Sequence, residues 1–232
     1  MRLNKYIAET GVCSRRAADK KIEAGQVLVN GRPAQMGQQV GPEDQVMVDG
    51  QLIGRSPKKV YMALHKPVGI TSTTDLKDPD NIVDYMAYPE RIFHVGRLDK
   101  PSEGLILMTN DGDIVNKILR AENNHEKEYI VTVDKKITED FIQKMSAGVR
   151  ILDTVTLPCR VELINPVTFR IVLTQGLNRQ IRRMCQALDY QVKKLKRVRI
   201  MNIKLGNLAY GEWRYLTDQE TKTLMKAIDH EL

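Results

Sequence analysis

The sequence predicts an α+β domain with a mostly antiparallel sheet, preceded by a small basic module, and three observations lead there. At 232 residues the chain has room for one ordinary domain and a small one, since domains usually run about 100 to 200 residues. Hydrophobic residues make up 42% and charged residues 28%, the balance of a folded globular protein and not of a disordered or fibrous one. Beyond residue 60, apolar strands and helical stretches follow in irregular order, without the regular βαβ alternation of a parallel sheet. No apolar run approaches the roughly 18 residues of a membrane span, and the N-terminal MRLNKYIAETG lacks a long apolar stretch, so a cytoplasmic location is expected. Cys13, Cys159 and Cys185 are odd in number and form no CxxC pair, which suits reduced thiols.

Residues 1–50 read as the module. Leu3, Ile7 and Ala8 share one face of a short helix ending near Gly11, and Ser14 can cap a second helix carrying Arg15, Arg16, Ala17, Ala18, Lys20, Lys21 and Ile22, closed by Gly25. Gln26 to Val29 alternates as a strand, Asn30-Gly31 signals a two-residue hairpin, and Val40 to Val48 supplies another strand at a Gly-Pro turn. Arg2, Lys5, Arg15, Arg16, Lys20 and Lys21 gather on the polar faces of the two helices. There they can meet phosphates across an RNA helix, or simply face water. Residues 51–59, poor in apolar side chains and containing Gly54 and Pro57, read as a linker, and the second, larger domain spans 60–232.

Within that domain, Val60 to Leu64, Ile92 to Val95, Leu105 to Thr109, Tyr129 to Val133, Arg160 to Leu163 and Phe169 to Leu173 read as strands. Asn81 to Met86, Ile114 to Leu119, Thr138 to Ala147, Asn178 to Ala187 and Thr217 to Ile228 read as helices. The net charge is +7, and it is concentrated: between Arg179 and Lys204 stand nine basic residues and one acid, Asp189. A run this unbalanced, threaded through apolar residues, favours a polyanionic partner, nucleic acid, over a merely solvated face.

Several chemistries lack their motifs. There is no GxGxxG and no GxxxxGK[ST], so neither a nucleotide cofactor nor an NTP-driven step is supported. His65, His94, His125 and His230 have no HExxH spacing, Asn110 to Asp113 lacks the pattern of a calcium loop, and no GxSxG elbow is present. No cofactor and no metal are expected. What remains is His94-Val95-Gly96-Arg97-Leu98-Asp99-Lys100-Pro101-Ser102-Glu103-Gly104-Leu105. It sets a carboxylate, Asp99, in a short loop between apolar strands, with glycines where the chain turns and Pro101 stiffening it. An Asp in such a loop more often just accepts backbone hydrogen bonds, and spacing alone does not decide.

Four blocks in order carry a resemblance: His65-Lys66-Pro67-Val68-Gly69, Gly96-Arg97-Leu98-Asp99, Lys127-Glu128-Tyr129, and Gly176-Leu177-Asn178-Arg179-Gln180-Ile181-Arg182-Arg183-Met184. Together they resemble the pseudouridine synthases of the RsuA class. Arg2 to Ile7, Ser14-Arg15-Arg16 and Val29-Asn30-Gly31 look like the small RNA-binding module of ribosomal protein S-four that often precedes that catalytic domain. Asn81-Ile82-Val83-Asp84, Asn116-Lys117-Ile118-Leu119-Arg120 and Gly211-Glu212-Trp213-Arg214 point to the large-subunit ribosomal branch of the class. The resemblance implies an α+β catalytic fold with a central cleft.

It also implies a reaction: the N1–C1′ bond of a uridine in RNA is cut, the uracil turns, and C5 is joined to C1′, with nothing added or lost. Asp99 would be the essential carboxylate, as nucleophile at the sugar or as base at C2′. Tyr129 would stack on the flipped uracil. Arg182, or in another register Arg183, would pair with Asp99, a guanidinium favouring the charged form of a neighbouring carboxylate. Arg97 would fill the gap left by the extruded nucleotide, Arg179 and Arg183 would line the substrate site, and Lys66, counted with them, would shape with Pro67 the loop near the pocket. Large-subunit ribosomal RNA is the expected partner, a tRNA anticodon loop the alternative, with no membrane and a monomer as default. A non-catalytic RNA-binding factor would have no use for Asp99, Tyr129 and Arg182 together; a glycosylase would release the base; a methyltransferase would need a donor.

Overall fold

A serine hydroxyl starts the second helix of the N-terminal unit. In the computed structural model, which describes residues 1–54, 57–119 and 125–229, Ser14 Oγ accepts the Ala17 N–H at 3.1 Å, a cap that typically contributes about 1 kcal/mol. Helices α1 (Leu3–Glu9) and α2 (Arg15–Glu23) bury Leu3, Ile7, Ala18 and Ile22 among Val27, Val29, Val46 and Val48. These valines belong to a four-stranded antiparallel sheet of β1 (Val27–Val29), β2 (Arg32–Pro33), β3 (Val46–Val48) and β4 (Gln51–Ile53), in the order β2-β1-β3-β4. Asn30 and Gly31 join β1 to β2 with φ of 51° and 77°, the left-handed pair that a two-residue hairpin requires.

Two expectations change here. Of Val40 to Val48, just Val46–Val48 is strand, because Asp44 holds the Gly41-Pro42 turn: its carboxylate accepts the Gly41 N–H and the Asn30 amide, both at 2.7 Å. Gln51–Ile53, read as linker, is a strand because Asp49-Gly50, with φ of 50° and 79°, forms a second hairpin turn. The unit comprises residues 1–60 with 88–92 and 110–112; of the expected linker, residues 55 and 56 lie outside the described residues, as do Arg120 and His230.

The second unit contains β5 (Tyr61–Lys66), α3 (Ile82–Met86), β6 (Phe93–Val95), β7 (Glu103–Thr109), α4 (Gly112–Leu119), β8 (Lys127–Val133), α5 (Glu139–Ala147), β9 (Arg150–Ile151) and β10 (Thr154–Val155). It continues with β11 (Arg160–Asn165), β12 (Thr168–Leu173), α6 (Gln180–Ala187), β13 (Val192–Ile200), β14 (Ile203–Lys204), β15 (Trp213–Tyr215) and α7 (Asp218–Asp229). Asn81 and Thr138 cap α3 and α5. Thr217 and Glu220 exchange side-chain and backbone bonds at the start of α7, a capping box. The main sheet runs β11-β12-β8-β13-β7-β5-β15, with β14 on β13 and β6 on β7. Helices α5 and α6 pack Phe141, Met145, Ile181 and Met184 onto Val131, Phe169, Ile171 and Leu195. Ile114 and Ile118 of α4 and Leu224 and Ile228 of α7 cover Ala63, Leu105, Leu107 and Ile200.

The middle of this sheet determines where the site lies. The strands pair antiparallel except β13 and β7, which run parallel and meet over two residue pairs, Lys196↔Glu103 and Arg197↔Gly104. Gly104 has φ +117°, and a Cβ there would stand 2.3 Å from the Arg197 carbonyl oxygen, so the close approach demands glycine. Strand β13 was not expected as a strand, and with it the reading of the basic stretch changes. Arg197 is buried, and Arg199 pairs with Glu126 at 2.8 Å and Glu128 at 2.9 Å. Neither guanidinium faces outward for RNA; Lys193, Lys194 and Lys204 do lie exposed.

Glu128 also faces Arg170 at 3.3 Å, and Arg170 faces Glu162 at 3.5 Å, so alternating charges cross β13, β8, β12 and β11. The inner pair, Arg199 with Glu128, is less than one-fifth exposed, whereas Arg170 is nearly half exposed and contributes little. Glu128→Gln is expected to lower unfolding stability by about 1–2 kcal/mol in urea titration. A change within error would show the ladder to be ornamental.

Candidate active site

Asp99 lies in the loop between β6 and β7, and every carbonyl from residue 97 to 101 has a donor. The Arg97 oxygen accepts from Arg197 Nη1 at 3.2 Å, Leu98 from Ser72 Oγ at 2.9 Å, Asp99 from the Ser102 N–H at 2.9 Å, Lys100 from the Gly69 N–H at 2.8 Å, and Pro101 from Arg182 Nη2 at 3.2 Å. Leu98 is buried and anchors the loop in the core. A loop with its peptide groups so committed presents its acid on a rigid frame.

The acid faces two guanidinium groups. Asp99 Oδ2 lies 3.6 Å from Arg179 Nη1 and 3.9 Å from Arg182 Nε, with the Asp99 side chain 35% exposed, Arg179 45% and Arg182 14%. Both arginines come from the start of α6, where Arg179 takes a left-handed φ of 50°. Arg182 is fixed from behind by Ser102 Oγ at 2.8 Å, and its Nε, buried, has no hydrogen-bond partner among the described residues. Burial, then the charge of Arg179, pull the Arg182 pKa down while Asp99 opposes them; a guanidinium nonetheless stays charged at any working pH. Arg183 turns back on its own loop, bonding the Asn178 carbonyl at 3.0 Å and side chain at 2.9 Å. Of the two registers, the structure brings Arg182 to Asp99 and not Arg183.

Tyr129 is half-buried opposite Arg197 on β8 and packs against the core cluster that includes Leu98. Arg97 is exposed. Lys66 is fully buried, its amine bonded to the carbonyls of Pro67 at 2.8 Å and Ile70 at 2.7 Å, which fits the expected loop-shaping role and leaves no surface for direct contact with substrate. It shapes the 67–70 turn that in turn holds Lys100, because an ammonium with three donors can satisfy carbonyls that a tight turn leaves unpaired. In the N-terminal unit, Arg2, Arg15, Arg16 and Lys20 are exposed, and Lys5, half-buried, pairs with Glu9 at 3.5 Å.

Burial pushes the Lys66 amine down to about 8, with Arg197 adding to the shift and Asp99 and Glu103 opposing it. The folded pKa thus lies below the unfolded value near 10.5. The unfolded chain then binds the extra proton between those values, and stability gains from this group as pH rises through that window. Unfolding stability of the parent chain relative to Lys66→Met is expected to increase from pH 7.5 to pH 10 in paired urea titrations; a flat difference would contradict the buried charge.

Ser72 and Arg197 escaped the sequence reading. Ser72 bonds backbone 26 residues away, which no local pattern reveals, and by charge alone Arg197 belongs with its basic neighbours. An arginine in phase with the buried Leu195 side of a strand is the signal that was available.

The protein-family model described as RNA pseudouridylate synthase matches residues 60–187, and that of the S4 domain matches residues 1–46. The chain is 58% identical to the dual-specificity RNA pseudouridine synthase RluF of Escherichia coli strain K12, over 99% of this chain and 80% of the relative. It is 35% identical to ribosomal large subunit pseudouridine synthase B of Bacillus subtilis strain 168, over 99% and 97%. A solved structure of a pseudouridylate synthase superimposes with a TM-score of 0.71 at 29% identity, covering 97% of this chain and 99% of that one.

Proposed function

The chain belongs to the RNA pseudouridine synthases, with an S4 domain at its N-terminus, and on that premise we propose that Asp99 is the carboxylate through which it isomerises uridine in RNA. The observation that carries the proposal is an aspartate on a fully hydrogen-bonded loop, one-third open, facing two guanidinium groups at 3.6 and 3.9 Å. In the reaction the C1′–N1 bond breaks, N1 takes up a proton, a C1′–C5 bond forms and the C5 proton leaves, so product and substrate are isomers. Asp99 serves this either as nucleophile at C1′ or as base at C2′, and both roles need its free lone pairs. Arg182 and Arg179 supply positive charge beside it. The Tyr129 ring stacks on the turned uracil, and Arg97, exposed two residues before Asp99, fills the vacated place in the RNA stack, offsetting part of an extrusion cost of a few kcal/mol.

The substrate we assign is a hairpin of large-subunit ribosomal RNA, with a tRNA anticodon loop as second substrate. Both present unpaired uridines beside a helix, and the E. coli relative carries dual specificity in its name. The exposed arginines and lysines of the N-terminal unit contact phosphates, and the chain acts as a monomer in the cytoplasm, where its three thiols stay reduced. Burial pushes the Cys185 thiol up to about 12, which suits a packing residue and not a nucleophile.

The test is incubation with RNA carrying C5-tritiated uridine. Tritium release with pseudouridine in the digested RNA, no free uracil and no need for an added methyl donor is the expected result; free uracil would make the protein a glycosylase. Affinity for the same RNA should drop with salt, log affinity falling by roughly 0.7 to 0.9 per neutralised phosphate for each log unit. Salt-independent binding would remove phosphate contacts from the account.

A further inference from the structure

We infer that Ser72 and Arg197 are positioning residues that fix the place of Asp99 by holding the peptide groups that lead into it, with Arg197 also tying them to β7, an inference that rests on Asp99 being the reacting carboxylate. The cations beside Asp99 do not locate it. At 3.6 and 3.9 Å they are too far to form directed hydrogen bonds with the carboxylate, so toward that side chain they supply charge, and Arg182 steadies the loop beyond it through Pro101 and Ser102. Geometry comes from the backbone. The Ser72 hydroxyl, 3% exposed, accepts the Leu98 N–H at 3.2 Å and donates to the Leu98 carbonyl at 2.9 Å. One side chain thereby acts as a ladder partner for the peptide groups leading into Asp99.

Arg197 works from the sheet. Its Nε donates to the Leu105 carbonyl on β7 at 2.7 Å and its Nη1 to the Arg97 carbonyl at 3.2 Å, so one planar group ties the start of the loop to the strand where it ends. It does so where β13 and β7 share two residue pairs and the ladder itself gives little support. The arrangement is expensive. Arg197 is 3% exposed, its hydrogen bonds go to neutral carbonyls, and Nη2 has no partner among the described residues. Apolar packing at such a position usually costs less than a buried cation, so stability alone does not account for an arginine here, whereas a fork holding both ends of a loop does.

The experiment measures single-turnover tritium release and RNA affinity for the full chain and for Ser72→Ala, Arg197→Met, Arg197→Lys and Asp99→Asn, each checked for folding by circular dichroism and thermal melting. A loop shifted by a fraction of an ångström slows chemistry, and a displacement of 1 Å can cost about 100-fold. Ser72→Ala and Arg197→Met are expected to lower the chemical rate about 10- to 100-fold, with the RNA dissociation constant within about twofold of the parent. Arg197→Lys, which keeps the charge and one of the two bonds, should recover part of the rate. A purely structural role would lower the melting temperature and leave turnover per folded molecule unchanged. If Arg197→Met fails to fold, Ser72→Ala carries the test alone. A folded Ser72→Ala chain turning over at the parental rate while Asp99→Asn is inactive overturns the positioning inference; an active Asp99→Asn chain overturns the reading beneath it.

Discussion

Asp99→Asn is expected to cut pseudouridine formation by at least ~10³-fold, the scale on which removal of a single reacting side chain acts in other enzymes, while RNA affinity stays within about twofold. The substitution is nearly isosteric, and the bonds that hold the loop involve its backbone and not the Asp99 carboxylate. The fold therefore survives. What disappears is the negative charge and, with it, both nucleophilicity toward C1′ and basicity toward C2′, which an amide does not offer. Arg179 and Arg182 lose the counter-charge at 3.6 and 3.9 Å, so the site becomes more positive and RNA phosphates have no reason to leave. Parallel tritium-release and binding assays check both halves. Retained activity removes Asp99 from the mechanism, and a large loss of affinity would mean the substitution damaged the surface as well.

The second large effect separates two neighbours. Arg182→Ala is expected to reduce the rate about 10²-fold, the usual consequence of deleting one charged group aimed at a reacting centre, whereas Arg183→Ala should change it less than about fivefold. Arg182 stands beside the carboxylate and also donates to Pro101 and Ser102, so its loss removes a cation and loosens the loop together. Arg183 spends its donors on Asn178. Stability should follow the same order, because truncating Arg182 takes a partner from the buried Ser102 hydroxyl, a loss of about 1–3 kcal/mol. Equal effects of the two substitutions on rate would contradict the geometry.

Much of the fold was legible because its signals are local. Ser14, Asn81 and Thr138 cap the helices that follow them, and Asn30-Gly31 turns the first hairpin. Strands such as Phe169 to Leu173 announce themselves by β-branched and apolar residues. The central strand did not. In VKKLKRVRI, residues 192–200, the exposed lysines dominate composition, and the inward phase of Leu195, Arg197 and Ile200 is hidden by a buried arginine and by a register shift between Arg197 and Arg199. Gln51–Ile53 is a simpler case: the strand is too short and too exposed to show a pattern of its own, and Asp49-Gly50 before it is the hairpin signal that marks it.

The site divides the same way. Asp99, Tyr129 and Arg182 entered through ordered motif blocks, not through spacing, since spacing alone left Asp99 an ordinary turn residue. Composition suggested a nine-residue basic surface between Arg179 and Lys204. Burial of Arg197 and ion pairing of Arg199 withdraw two of its members, a distinction that charge counting does not make. For Lys66, motif position indicates a loop near the pocket, and burial adds that its amine is spent on that turn and not on substrate.

The most direct measurement is a structure of the Asp99→Asn chain bound to an RNA hairpin bearing its target uridine. The account predicts that nucleotide extruded from the stack, its C1′ or C2′ within about 3.5 Å of the residue 99 side chain, the distance of a near-attack geometry, with the Tyr129 ring against the uracil. A uridine left stacked in the helix, or an extruded one whose ribose lies beyond reach of residue 99, would contradict it.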